Sequence, residues 1–508
     1  MPRDNKVLAL AELGEVLASA RKDGKRVVLC HGVFDLMHPG HVLHFKAARQ
    51  HGHILAVTVT PDRFVDKGPG RPVFNQWLRL ETLAALECVD YVALNEWPTA
   101  VETIHCLKPA VYAKGSDYAD ASADLTGKIV DEETAVRAVG GTIVFTDEES
   151  FSSSTLINRF FSNLPTGTAA YLRSFRERHT AREIINALES LRDVRALVIG
   201  EAIIDQYYYC VPLGKSPKET IISTKYASDE EFAGGSLAVA NHLAGFCDQV
   251  TLVTCLGQDP RHWEFVRSKL RPNVRLRATQ TPDRPTIIKR RYVEPTFLTK
   301  MFEIQYLDDT PIPEAVERKV LDTLDAEIER HDLIVATDFG HGLLTDRLRA
   351  WLCASGRFIA VNTQTNSANL GFNPVTKYLK ADYVCLHAGE LKLALRAQYA
   401  DLHALGAKLL AELNARSLMV TRGPHGSLLL TEDAQISETP ALSIRVVDRT
   451  GAGDAFFAVT APCVYRAFPP ELVGFVGNCA GALAVEIVCN REPVDPVVLK
   501  KFVKHVLL

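Results

Sequence analysis

Apolar and polar positions are arranged in blocks along this chain. From Val27 to about Phe161, short apolar runs at Val27–Leu29, Ile54–Val59, Tyr91–Leu94, Val111–Ala113 and Thr142–Phe145 are separated by helically spaced stretches at His41–Gln50, Gln76–Glu87, Ala100–Leu107 and Glu132–Val139. Strand-length apolar runs alternating with helices predict a parallel sheet covered on both faces. Turn-forming residues at Asn163–Thr168 break the pattern, and the charged stretch Tyr171–Leu191 is expected to form a connecting helix. A second strand–helix pattern opens at Ala196–Gly200 and resumes after Asp332. Between them, Thr220–Tyr226 and Thr286–Ile304 mix polar with β-forming residues and predict a small sheet projecting from the main one. The expected organisation is an α/β domain over 1–164, a linker helix over 165–193 and a second α/β domain over 194–508, with no internal repeat.

Composition narrows the function classes. The chain has 508 residues, 47% hydrophobic and 23% charged, with a formal net charge of −4. That suits a globular protein of two or three domains and offers no basic excess for nucleic acid. The first residues lack an apolar signal-peptide core, and the late apolar stretch Leu472–Val488 carries Asn478 and Glu486. They predict a cytoplasmic protein with a buried late helix and no membrane span. Eleven scattered cysteines, none in a C-x-x-C pair, fit reduced thiols.

Two stretches carry chemistry. In Cys30-His31-Gly32-Val33-Phe34-Asp35-Leu36-Met37-His38-Pro39-Gly40-His41-Val42, an apolar strand runs through a turn into a helix start bearing two histidines three apart. Free backbone N–H groups and the helix dipole make such a junction an anion site, and the histidines add donors for a phosphate in transfer. The second is Asp448-Arg449-Thr450-Gly451-Ala452-Gly453-Asp454-Ala455-Phe456, a glycine-rich turn opening a helix. Its N–H groups form an anion hole, and a following aspartate can take a proton from a hydroxyl attacking a γ-phosphate.

The first stretch resembles the signature of the cytidylyltransferase-like nucleotidyltransferases. The resemblance extends to Lys67-Gly68-Pro69-Gly70-Arg71-Pro72-Val73 with Arg79, to Lys114-Gly115-Ser116-Asp117-Tyr118, and to Ser152-Ser153-Ser154-Thr155. It implies a Rossmann-like domain in which a substrate phosphate attacks the α-phosphate of a nucleoside triphosphate. His38, His41 and Lys67 would be catalytic. Gly32, Phe34, Asp35, Arg79, Ser152, Ser153, Ser154 and Thr155 would bind the nucleotide, and Lys114 and Asp117 the acceptor. Mg²⁺ is implied as cofactor; the motifs leave ATP and CTP open.

The second stretch resembles the C-terminal signature of ribokinase-like sugar kinases. Gly234-Gly235, Asp205 and Thr421-Arg422-Gly423-Pro424-His425-Gly426 extend that match. It implies Asp454 as base, Gly451, Ala452 and Gly453 as anion hole, and Thr421, Gly423 and Gly426 on the nucleotide side. Asp205, Gly234 and Gly235 would lie at the sugar, Glu390 at Mg²⁺, and the β lid would mediate a homodimer. The combination resembles the bifunctional heptose-phosphate kinase/heptose 1-phosphate nucleotidyltransferases, with the domain order reversed. The implied function is synthesis of a nucleotide-activated sugar of the ADP-heptose type. The alternative is a cytidylyltransferase for another small phosphate or phosphonate, its kinase-like domain having different or lost activity. The chain departs from the pattern at Glu201 (aspartate usual), Ala238 (asparagine), His387 of His387-Ala388-Gly389-Glu390 (asparagine) and Asn362-Thr363-Gln364 (an Asp-Pro pair), and at Ser116.

Overall fold

The computed structural model describes residues 6–65, 71–115, 128–146, 165–443 and 445–507. Its contacts divide the chain into two compact units, 1–163 with 500–508, and 164–499. No helix among the described residues is long and apolar enough to cross a membrane.

The first unit holds β1 (Val7–Leu8), β2 (Val27–Gly32), β3 (Ile54–Val59), β4 (Tyr91–Leu94), β5 (Val111–Gly115) and β6 (Thr142–Thr146). They form one sheet in the order β1-β4-β3-β2-β5-β6, with every pairing parallel. The buried runs Val27–Cys30 and Ile54–Val59 explain why these strands read as unbroken apolar segments. Strand order reverses about β2, and ligands in such sheets bind beyond the strand carboxyl ends at that switch. There β2 runs through residues 33–38 into the helix Pro39–Arg49.

The second unit begins with two helices, Thr166–Arg178 and Ala181–Glu189, where one was expected. A capping box divides them: the Thr180 hydroxyl accepts from the Glu183 N–H, and Glu183 returns to the Thr180 N–H. The strands are β7 (Arg195–Gly200), β8 (Ala202–Lys215), β9 (Ile222–Gly235), β10 (Gln249–Leu256), β11 (Val274–Gln280), β12 (Ile287–Glu294), β13 (Thr299–Tyr306), β14 (Leu333–Asp338), β15 (Phe358–Thr363), β16 (Tyr383–His387), β17 (Ser417–Thr421), β18 (Ser427–Thr431) and β19 (Ile436–Thr439).

Nine strands form the main sheet, ordered β11-β10-β7-β14-β15-β16-β17-β18-β19. It is parallel through β17, and β18 and β19 close it antiparallel. The side sheet has the order β13-β12-β8-β9. It is larger than the sequence suggested, because the Asp205–Tyr209 run lies in the long strand β8, paired with β9 and β12. The apolar helices Ser236–Phe246, Ala452–Tyr465 and Pro470–Ala484 are almost wholly buried. A helix apolar all round has no solvent face to offer.

Candidate active sites

In the second unit a cavity of about 630 Å³ opens where the side sheet meets the carboxyl ends of the main sheet. Asp454 lies on its wall in the first turn of the helix Ala452–Tyr465 and is 8% exposed. Burial, reinforced by the charge of Asp205, pushes its carboxyl up to about 7. Gln364 Nε2 donates to Asp454 Oδ1 at 2.7 Å and fixes its orientation. Gly451, which precedes this helix, has φ +83, and a Cβ there would lie 2.0 Å from Asn490 Oδ1. Gly453 has open space where a side chain would stand, leaving the N–H groups of the first turn approachable.

Asp448 holds this turn in place. Its carboxylate accepts from Tyr207 Oη (2.6 Å), Lys300 Nζ (2.7 Å) and the N–H groups of Thr450 and Cys489 (both 3.0 Å). Burial alone would raise its pKa; the bonds from Lys300 and Tyr207 outweigh that and hold it below the ordinary value. Tyr207 and Lys300 belong to β8 and β13, so the side sheet is anchored to the glycine turn.

Elsewhere on the cavity wall, Asp205 projects from β8 and accepts from Arg291 of β12, which also pairs with Glu303 Oε2 at 2.7 Å. Gly234 faces Asp205: a Cβ there would lie 1.9 Å from Asp205 Oδ2. Gly234→Ala is therefore expected to displace the carboxylate and lower kcat/KM for the acceptor by about 10- to 100-fold. The KM for ATP should stay the same. Parallel titrations of acceptor and nucleotide check this, and an unchanged acceptor kcat/KM would remove Asp205 from the acceptor site. Thr421, Gly423 and Gly426 line the opposite part of the cavity, beyond β17.

The departures from the expected pattern have local explanations. His387 caps the helix Ala388–Ala394, its Nδ1 accepting from the Gly389 N–H at 3.1 Å while Glu390 Oε2 accepts from the His387 N–H at 2.8 Å. Glu390 Oε1 accepts from the Thr365 N–H at 2.9 Å, and burial raises the Glu390 pKa. Glu201 is a buried strut that receives the N–H groups of Phe339 and His341, both at 3.1 Å. Asn362 Nδ2 donates to the Cys385 carbonyl at 2.7 Å, tying β15 to β16. Ala238 is buried in the helix Ser236–Phe246 and offers no polar group.

In the first unit, β2 ends at Gly32, and Phe34 follows with φ 49. His38 caps the helix Pro39–Arg49 from an extended conformation, and the His38 and His41 rings pack with centroids 3.9 Å apart. The Phe34 ring meets His41 edge-on at 5.5 Å. The Asp35 carboxylate accepts from Arg71 Nη1 (2.9 Å) and the N–H groups of Val73 (2.7 Å) and Phe74 (3.1 Å). Lys114 pairs with Glu132 at 2.8 Å. Arg79 differs from the expectation of a triphosphate ligand. Its guanidinium donates to the carbonyls of Phe74, Val33 and Thr60 and to Asp62 Oδ1, and the residue is 1% exposed. Arg79 therefore braces the loop after β2, and Asp35 ties that loop to residues 71–74. Lys67, Asp117 and Ser152–Thr155 lie outside the described residues.

Sequence reasoning gave no role to Gln364 and Asp448, which it named only within their stretches, and passed over Lys289, Arg291 and, in the first unit, His44. The His44 ring is bonded to Thr146 Oγ1 at 2.7 Å, and its pKa is pushed down to about 4 by burial and by Lys114. No local motif marks Lys289, Arg291 and His44; Asp448 and Gln364 stand in or beside quoted motifs, but the contacts that give them their places are distant in sequence.

A nine-stranded α/β core with a four-stranded side sheet, and a buried carboxylate under a glycine turn between them, define the ribokinase-like class. Residues 194–488, more than half of the chain, match the pfkB family carbohydrate kinases, and the chain belongs to that family. Residues 29–160 match the cytidylyltransferase-like family, and the first unit has that nucleotidyltransferase-like fold. Among curated relatives, the bifunctional protein HldE of Trichlorobacter lovleyi is 42% identical over 117 residues, 23% of this chain and 24% of the relative. The bifunctional protein HldE of Gluconobacter oxydans is 33% identical over 168 residues, 33% of this chain and 34% of the relative. The matches thus span about a quarter to a third of those relatives, whose ribokinase part comes first, the reverse of the order here. Among solved structures, ribokinase from Thermotoga maritima has a TM-score of 0.47 at 18% identity, covering 61% of this chain and 99% of that one.

Proposed function

We propose that this chain is a bifunctional enzyme of nucleotide-activated sugar synthesis, of the ADP-heptose type. The observation that carries the kinase half is Asp454, a buried carboxylate whose pKa is raised to about 7, on the cavity wall beside the glycine turn and near Asp205. A base poised near neutral pH takes a proton most effectively from a hydroxyl. In this reading Asp205 orients the sugar and Asp454 removes the C1 hydroxyl proton as that oxygen attacks the γ-phosphorus. The bond from the γ-phosphorus to the β–γ bridging oxygen breaks, ADP leaves, and N–H groups around Gly451–Gly453 balance the charge on the transferred phosphoryl group.

Mg²⁺ fits the donors present. Glu390, which lines the cavity, would hold the ion, since each of its oxygens uses one lone pair on a backbone N–H and keeps the other. When bound, the ion would supply charge neutralisation on the nucleotide phosphates.

In the first unit the phosphate of a sugar 1-phosphate attacks the α-phosphorus of ATP or CTP, and pyrophosphate leaves. His38 and His41 donate to the phosphates, with Lys67 and Ser152–Thr155 on the nucleotide and Lys114 and Asp117 toward the acceptor. A separate phosphatase acts between the two steps. The reading includes a cytoplasmic homodimer joined through the side sheet, whose exposed Leu213, Ile222, Tyr226 and Phe302 suit an apolar contact.

The test is to incubate the full chain with Mg²⁺, ATP and D-glycero-D-manno-heptose 7-phosphate and look for the 1,7-bisphosphate by mass spectrometry. Its formation is the expected outcome. Unchanged substrate, with ATP bound and the protein folded, would overturn the heptose acceptor.

A further inference from the structure

We infer that Lys289 on the wall of the kinase cavity, with the buried His341 and Arg284 near it, forms an anion subsite taking the phosphate ester that the sugar already carries. The inference rests on the kinase reading above and deepens it, because it assigns a binding site for the acceptor's own charge.

Lys289 stands on β12 directly opposite Asp205 of β8. It lines the cavity and is 7% exposed, and its ammonium has no hydrogen bond or ion pair among the described residues. The neighbouring cation Arg291 is paired with Asp205 and Glu303, whereas Lys289 feels the charges of Asp205, Glu303 and Glu201 but pairs directly with no carboxylate among the described residues. His341 follows β14 and is 2% exposed, with both ring nitrogens unpartnered. Arg284 pairs with the Asp308 carboxylate at 3.7 Å and donates to the carbonyls of Asp308 and His341, but its Nη1 is unpartnered. Lys289 and Arg284 both lie close enough to the His341 ring to hold its pKa down, after burial, the larger cause.

Buried nitrogens without partners are costly, and a cluster of them implies an acceptor that completes it. Two cations and an imidazole from two chain segments, β12 with its approach and the loop after β14, suit a phosphate monoester, which offers three oxygens and close to two negative charges. The loop bearing His341 is fixed by the Glu201 carboxylate, so the cluster is preorganised.

Strand order separates this subsite from the nucleotide. His341 follows β14, whereas Thr421 and Gly423 follow β17, three strands along the sheet. At about 4.8 Å per strand the two ends stand roughly 14 Å apart. The transferred phosphoryl group belongs at the glycine turn, and the phosphate at Lys289 is a different one, remote from the reacting hydroxyl.

The test uses the full chain saturated with Mg²⁺ and a non-hydrolysable ATP analogue. Binding of inorganic phosphate, of D-glycero-D-manno-heptose 7-phosphate and of the unphosphorylated heptose is measured by titration calorimetry. Wild-type protein should favour the phosphate ester over the free sugar. Lys289→Met and His341→Leu should each weaken the two phosphate-bearing probes by on the order of 10- to 100-fold. Affinity for the free heptose and for the analogue should be unchanged, and Lys289→Arg should restore part of the loss. Melting curves check that the variants fold. Equal phosphate binding by Lys289→Met and wild type would overturn the subsite, as would a wild type with no preference for the ester. If the heptose is not the acceptor, the inorganic phosphate arm still decides: its loss in Lys289→Met upholds the subsite for another phosphorylated acceptor.

Discussion

Asp454→Asn is expected to lower kcat for sugar phosphorylation by about 10³-fold while leaving ATP binding intact. Asparagine keeps the volume and can still meet Gln364, but it cannot accept the hydroxyl proton. The same carboxyl sets the pH dependence. Its pKa is raised to about 7, chiefly by burial and next by Asp205, so the fraction able to act as base falls as the pH drops below 7. The kcat/KM of wild type should therefore rise with unit slope up to about pH 7 and then level off. A flat profile between pH 5 and 8 would count against Asp454 as the base.

Stability carries the opposite sign. An aspartate normally titrates near 3.8, so between about pH 4 and 7 the unfolded chain has released a proton that folded Asp454 retains. Folding stability falls through that window as the pH rises, and above about 7 the deficit is complete. Asp454→Asn should consequently melt higher than wild type at pH 8, and the difference should shrink toward pH 4. An enzyme that becomes more stable on losing its base is trading stability for activity at a functional site.

The features legible in the sequence were those encoded over short distances. Strands β2, β3 and β5 announced themselves as unbroken apolar runs because both faces of the sheet are buried along most of their length, whereas β6 at the edge is largely exposed. The glycine turn at Gly451–Gly453 and the histidine pair after β2 were legible because each helix start is built from residues close together in sequence. The side sheet was read only in part. β8 presents Asp205 to the cavity and Tyr208 to the aromatic cluster with Tyr226 and Tyr292, so it has neither an apolar run nor a clean alternation. The break between Thr166–Arg178 and Ala181–Glu189 was present as Thr180 and Glu183, a capping-box spacing that could have divided the expected helix.

Roles created by tertiary proximity were not legible. Gln364 reaches Asp454 across 90 positions, and Tyr207 reaches Asp448 across 241. His387 illustrates the converse. As a motif position it counted as a loss, but its ring nitrogen serves as the acceptor that helix capping requires. Arg79 shows how a charged residue in an ordered motif can brace the loop beneath a site instead of meeting the ligand.

Two sites built from separate stretches of chain should fail separately, and His41→Ala is the variant that tests this. His41 packs against His38 and Phe34 at the start of the helix Pro39–Arg49, where the orphan N–H groups and the helix dipole favour a phosphate. Removing one donor aimed at developing charge typically lowers turnover by about 10²- to 10³-fold. Pyrophosphate release from ATP or CTP with a sugar 1-phosphate should fall by that factor, while sugar-dependent ADP formation stays at the wild-type rate. Asp454→Asn should give the reverse pattern. The imidazole is half-buried, and its loss leaves a space that Phe34 and His38 border, so the melting curve separates lost chemistry from lost packing. If His41→Ala, folded as wild type, also lost ADP formation, the two chemistries could not be independent. If it retained pyrophosphate release, the charge would have to be met by other donors and the histidine pair would be a packing feature of the loop after β2.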